Sequence, residues 1–353
     1  MYDRLVTAVV AGLSLKNLNP RVWDATSPYY LPDLKAVMVS YAELGTVRSR
    51  RNRAMAVGLH EYLGVPTQVP IFLDNGAFNL LKSGGEVCRA EYEAFVEHAR
   101  PDWYAIPQDY IPIPQMSESE KLRCFAKTMK TNADYSHGAF VPVAHVGSLL
   151  PNYLEALQAD LRFVDKPSIA LGGIVPNLLR APKAQPYPVI IECLVRARRE
   201  LRSKKVHVFG IGGTATLHLA ALLGMDSVDS SGWRNRAARG IVQLPGTGDR
   251  VVANLGSWRG REPSSEEWGL LEECNCPACQ QFGWEDITAS GSLGFCHRAA
   301  HNLWTLLHES QLIADHLDQG NYDDWYLSHV RNSIYLPLIR LALDARCRPS
   351  PNV

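Results

Sequence analysis

Short apolar runs recur over the first two-thirds of the chain, and each closes in a polar or glycine-rich turn. They are AVMVSY (36–41), VPIFLDNG (69–76), WYAIPQD (103–109), FVPVAHVG (140–147), SIALGG (168–173), VHVFGIGG (206–213) and DSVDSS (226–231). Most are separated by stretches with helical spacing, among them RAEYEAFVEHA (89–99), NYLEALQADLRFV (152–164), YPVIIECLVRARRELRS (187–203) and ATLHLAALLG (215–224). Strand alternating with helix predicts parallel βαβ units. The N-terminal MYDRLVTAVVAGLSLKNLNP supplies a first strand and turn. About seven such units suit an α/β fold of the TIM-type (β/α)8 barrel kind better than an open doubly wound sheet, which is the alternative.

After position 240 the rhythm changes. The Gly/Pro-rich LPGTGDRVVANLGSWRGREPSSEEW leads to a cysteine cluster, and amphipathic helices follow, including 301–317 and 325–343. The expected organisation is a barrel with the catalytic face over 1–255, a zinc-binding subdomain over 256–310, and C-terminal helices over 311–353 that complete the barrel.

The cysteine cluster is ECNCPACQQ, a Cys-x-Cys-x-x-Cys at Cys274, Cys276 and Cys279. Three thiolates this close need a fourth ligand to close a tetrahedral site. Cys296, His297 and His301 are the candidates downstream; His301 opens an amphipathic helix, from which its side chain can point back at the loop. A structural zinc ion with no open position suits a loop-rich segment lacking its own core. With no leader resembling a secretory signal, thiols so grouped read as metal ligands before disulfides.

Charge removes one easy inference. The chain has 36 Lys and Arg against 36 Asp and Glu, a formal net charge of zero, so no global basic field announces a nucleic-acid partner. Such a partner would have to meet local patches: RSRRNR (48–53), RARRELRSKK (196–205) and RNRAAR (234–239). No run reaches the roughly 18 apolar residues of a membrane span, and the expected compartment is the cytoplasm.

The chemistry gathers at the strand ends. Asp74, Asp109, His145, Gly172, Gly173, Gly210 and Asp229 all fall at C-terminal ends of predicted strands. In a barrel those ends converge on the face that carries catalysis. Each alone reads as an N-cap or turn residue; together they mark a candidate site. Two carboxylates there suit retaining cleavage of an N-glycosidic bond, with one as nucleophile at the anomeric carbon and the other as acid/base. A base in place of water as the second acceptor gives exchange rather than hydrolysis.

FLDNGAF (72–78), SIALGGIVP (168–176), VHVFGIGGTATLHLAALLGMDSVDSSGWRNRAARG (206–240) and CNCPAC with His301-Asn302 together resemble the tRNA-guanine transglycosylase superfamily, in the same order and at comparable separations. The resemblance implies that Asp229 is the nucleophile, Asp74 the general acid/base and Asp109 the acid that grips the purine edge. It implies that Gly172 and Gly173 offer backbone donors to the base, and that His301 is the fourth zinc ligand. His145 falls where the family usually has Gln. The segment after the nucleophile, SSGWRNRAARG, also departs from the family; Trp233 there either stacks on a base or packs a loop to the barrel, and Arg234 and Arg236 are candidates to hold phosphates. These departures look more like the DpdA-type branch, which inserts 7-deazaguanines into DNA, than the tRNA branch.

The expected activity is therefore exchange of guanine in DNA for a 7-cyano-7-deazaguanine-type base, with tRNA as the alternative substrate. The expected partners are nucleic acid, the 7-deazaguanine base and, as an assembly, a homodimer, with no membrane. Two rival readings are a non-catalytic partner subunit, which the presence of both Asp74 and Asp229 opposes, and a nucleosidase that uses water as acceptor.

Overall fold

The computed structural model describes residues 6–45, 47–83, 85–174, 186–256, 260–331 and 335–347. Nine short strands form one sheet in the order β5-β4-β3-β2-β1-β9-β8-β7-β6. They are β1 (Ala8–Gly12), β2 (Ala36–Ser40), β3 (Ile71–Asp74), β4 (Trp103–Ala105), β5 (Phe140–Val141), β6 (Val143–His145), β7 (Ser168–Gly172), β8 (Lys205–Val208) and β9 (Ser227–Ser230). Every pairing among them is parallel. β5 and β6 are two halves of one run, divided by Pro142, which has no N–H to give a ladder. The first half pairs with β4 and the second with β7. Counted as one strand they close an eight-stranded barrel, and the open-sheet alternative falls away.

Side-chain parity explains why this sheet must close. Val9, Ala11, Val37, Val39, Ile71 and Leu73 belong to the large core between strands and helices. The alternate positions Val10, Ala36 and Met38 form a separate cluster, joined by Phe72 and Phe209, that fills the lumen. Both faces of the strands are thus apolar, as parallel strands wrapped by helices require. The helices Arg89–Ala99, Leu150–Ala159 and Tyr187–Glu200 start and run close to where the sequence spacing puts them. The expected helix over 325–343 is instead two, Tyr322–His329 and Leu336–Cys347; residues 332–334 between them, like Val175 and Pro176 of the SIALGGIVP block, lie outside the described residues.

Beyond the barrel, β10 (Ile241–Leu244) and β11 (Gly248–Val251) make an antiparallel hairpin. The helix Gly291–Asp318 docks beside it and runs without a break through position 310, where a domain boundary was expected. Its Ser310 hydroxyl donates to the Thr7 carbonyl just before β1 (2.6 Å), so this helix belongs to the barrel's wall as much as to the cysteine segment. Asn302 does most of the fastening. Its side-chain oxygen accepts from the Gln243 N–H (2.7 Å), and its amide donates to the carbonyls of Trp233 (3.1 Å) and Ile241 (3.0 Å). Asn302 is fully buried, so no water can replace these bonds.

Asn302→Ala should therefore lower stability by about 2–4 kcal/mol, because it strands buried backbone groups as well as removing bonds. Urea unfolding measures this; a loss under about 1 kcal/mol would show that the helix is held by packing alone.

Candidate functional site

Parity in the lumen delivers the carboxylates. Asp74 lies two residues beyond the inward Phe72, and Asp229 two beyond Ser227, whose neighbour across the ladder is the inward His207. Both acids stand at the C-terminal mouth, with Ser40 and Val10 as their respective ladder neighbours. There they line an open cleft of about 2060 Å³. The Gly210 N–H donates to Asp229 Oδ1 (2.7 Å), and the Gly212 N–H to the Asp229 carbonyl (3.0 Å). Gly210 needs its glycine for a φ of 79°. Gly212 needs its own for closeness: a Cβ there would sit 2.3 Å from Ser230 Cβ.

Asp74 takes a hydrogen bond from the Gly76 N–H (3.1 Å). Burial first, and then the charge of Asp229, push its pKa up to about 6. Asp74 thus keeps a proton toward neutrality, which suits a general acid/base.

His145, Gly172 and Gly173 also line the cleft, with His145 and Gly172 as ladder partners. A residue that sequence reasoning passed over, Gln108, sets the state of His145. The Thr128 hydroxyl donates to the Cys124 carbonyl (2.8 Å), so its oxygen must accept the Gln108 amide (3.1 Å). The same amide nitrogen lies 3.0 Å from His145 Nε2, which then accepts, leaving the proton on Nδ1. Burial pushes the His145 pKa down to about 3, so the ring is neutral. Its Nδ1 has no hydrogen-bond partner and packs against Gly172.

The other expected residues divide. Arg236 lines the cleft and pairs with Asp249 (2.6 Å) across its rim. Asp109 does not line the cleft; its carboxylate accepts from the Val87 N–H (3.2 Å) and Lys127 (3.1 Å). Trp233 is fully buried, its indole N–H donating to the Gly12 carbonyl (3.1 Å), so it plugs the barrel wall and offers no stacking face. Arg234 is buried beside it, over the Trp233 and Phe295 rings, and donates to the Asn17 carbonyl. Phe78 and Gln243 join the cleft lining; Phe78 was legible as the last residue of DNGAF, whereas nothing in the sequence singled out Gln243.

Cys274, Cys276, Cys279 and His301 converge as a buried four-ligand cluster. A tetrahedral ion at about 2.3 Å from sulfur and about 2.05 Å from nitrogen would hold the two atoms about 3.6 Å apart. The three sulfurs lie 3.4, 3.7 and 3.6 Å from His301 Nδ1. His301 Nε2 donates to the Gln243 carbonyl (3.0 Å), which turns the Nδ1 lone pair on the cluster. The N–H groups of Cys276 and Cys279 point at the sulfurs of Cys274 (3.5 Å) and Cys276 (3.3 Å). His297 touches Cys279 Sγ alone (3.4 Å), and Cys296 stands outside the cluster, so His301 is the residue placed to serve as a fourth ligand.

Purified protein should hold about one metal ion per chain by elemental analysis. Cys276→Ser and His301→Ala should each lose most of it, and His297→Ala should keep it. Metal retained by the His301→Ala protein but lost from His297→Ala would reverse the ligand assignment.

The arrangement can now be set beside known proteins. A family model described as TGT, queuine tRNA-ribosyltransferase, matches residues 33–333. The tRNA-guanine(15) transglycosylase of Methanosarcina mazei is 26% identical over 281 residues, covering 76% of this chain and 52% of the relative. That of Thermococcus onnurineus is 24% identical over 278 residues (76% and 44%), and that of Haloferax volcanii 27% over 278 (77% and 50%). The chain spans about half the length of these curated relatives. The family match covers most of the chain, and the protein belongs to the queuine tRNA-ribosyltransferase (TGT) family.

Proposed function

We propose that the protein exchanges a guanine in nucleic acid for a 7-deazaguanine, through a covalent intermediate on Asp229. The observation that carries this is the pair of carboxylates, Asp74 and Asp229, that line one cleft at the barrel mouth, with Asp74 raised to about 6. Asp229 attacks the anomeric carbon as Asp74 gives its proton to the departing guanine. The incoming base then attacks the same carbon, its proton passes to Asp74, and Asp229 leaves. His145 and the backbone of Gly172 and Gly173 form the wall that the base meets, and Arg236 faces the polymer backbone. Asp109 keeps the purine-gripping role only by turning from Lys127 into the cleft. The metal is zinc: three thiolates and an imidazole make a closed set with no position for substrate, so its work is to hold the hairpin and helix in place.

For the polymer we carry DNA forward. His145 stands where the family usually has Gln, and the segment after Asp229 sends Trp233 and Arg234 inward rather than outward to an RNA context. tRNA is the second reading, favoured by the names of the relatives. No helix among the described residues is long and apolar enough to cross a membrane.

Incubation of the protein with radiolabelled guanine and nucleic acid should place label in the polymer, and Asp229→Ala should abolish both label and adduct on denaturing electrophoresis. Abasic sites without label would make the protein a nucleosidase. Nucleoside mass spectrometry of DNA and tRNA from expressing cells separates the polymers: 7-deazaguanine confined to tRNA would overturn the DNA reading.

Asp74 also predicts a pH signature in stability. Its folded pKa lies above the ordinary carboxylate value, so the folded state binds more protons between about pH 4 and pH 6, and stability falls as pH rises through that window. Asp74→Asn should be the more stable protein above pH 6, by on the order of 1–3 kcal/mol, with the advantage shrinking toward pH 4. Thermal melts at pH 5 and pH 8 test it; a variant that melts below the parent at pH 8 would contradict the buried, repelled carboxylate.

A further inference from the structure

His207 sits in the lumen directly beneath the nucleophile. It is 2% exposed, and its ring is walled by Phe72, Trp103 and Phe209 at centroid distances of 5.8, 5.2 and 4.8 Å. Its Nδ1 lies 2.8 Å from the Ser227 hydroxyl, on the neighbouring strand and in direct ladder register. Its Nε2 is buried with no hydrogen-bond partner and stands 3.6 Å from Asp229 Oδ1. A polar atom so enclosed ordinarily has a partner. It faces the carboxylate of the residue proposed to attack the sugar.

Electrostatics chooses the tautomer. With the proton on Nδ1, the Nε2 lone pair would point at an anionic oxygen in a water-poor aromatic box. With the proton on Nε2, the N–H points there instead, and the Ser227 hydroxyl donates to Nδ1. The second arrangement satisfies Ser227, His207 and Asp229 together.

We propose that His207 is a positioning residue for Asp229, anchored by Ser227, whose Nε2–H closes on the carboxylate as the glycosyl ester breaks. The inference rests on the base-exchange reading and deepens it. In the second half of that reaction the incoming base forms a bond to the anomeric carbon, the bond from that carbon to the Asp229 oxygen breaks, and its electron pair returns to the carboxylate. The base's proton goes to Asp74. A donor beside Oδ1 favours the state in which charge returns, so it hastens breakdown of the adduct more than its formation. The Gly210 N–H already serves the same oxygen from the cleft side, and His207 supplies the donor from below.

Two measurements test this. The first needs no activity. In protein labelled with nitrogen-15 histidine, the resonance lost in His207→Gln identifies the ring, and its shifts should report a proton on Nε2 that moves on Asp229→Asn. A proton on Nδ1 would overturn the proposal while leaving base exchange untouched. The second follows the covalent adduct in time. His207→Phe fills the same box without an N–H and should lengthen the adduct's lifetime about 10- to 100-fold, the scale of one hydrogen bond to a charged group. His207→Gln, which can put an amide N–H near the place of Nε2, should restore most of the rate. A purely structural role would instead lower metal content and melting temperature together and leave adduct partitioning alone. An unchanged lifetime in a folded His207→Phe protein would refute the assignment. Absence of any adduct in the parent protein would defeat the base-exchange reading, with the tautomer still deciding the fate of His207.

Discussion

Two carboxylates held over an aromatic plug set the terms for everything else in this molecule. Water at the mouth reaches Asp74 and Asp229 from one side only, because Phe72, Phe209 and Met38 seal the lumen beneath. Their mutual repulsion is therefore poorly screened. The fold answers by giving them unequal surroundings. Each acid receives a backbone N–H from a glycine turn, Asp229 from Gly210 and Asp74 from Gly76, and the burial of Asp74 raises its pKa in spite of that bond. The tight approach of Gly212 to Ser230 and the left-handed turn at Gly210 follow from that need, and so does the close packing of β8 against β9.

Much of this could be read in advance, for a physical reason. Strand positions declare themselves as short apolar runs between helical stretches, so the βα alternation and the strand-end placement of Asp74 and Asp229 are legible from spacing, while closure into a barrel rather than an open sheet rests on pairings between distant strands. The cysteine motif likewise carries its geometry within a few residues. What spacing does not convey is long-range. An aromatic followed by arginines after Asp229 reads as a nucleic-acid clamp, yet the indole finds the Gly12 carbonyl across the barrel seam and turns inward. Asp109 sits on the expected turn, but Lys127 on the following helix draws its carboxylate away from the cleft. The tautomer of His145 depends on Thr128 and Cys124, on a helix that no motif marks. Gln108 and His207 were visible only as letters beside more eloquent neighbours.

The helix that crosses position 310 carries a related lesson. The sequence changes rhythm there, but the long helix is one mechanical object, fastened at one end to the cysteine cluster through His301 and at the other to the start of β1 through Ser310. Composition marks where a chain changes style; it does not mark where a rigid body ends.

Gln243 shows what that rigidity implies. Its backbone is clasped by His301, Asn302 and Thr305, while its side chain forms part of the cleft wall. One residue thus belongs at once to the surroundings of the cysteine cluster and to the inner surface of the cleft. A shift of that residue would move a neighbour of the cluster and a part of the cleft wall together. The cysteine segment is less an appended staple than the far end of a lever whose near end lines the cleft.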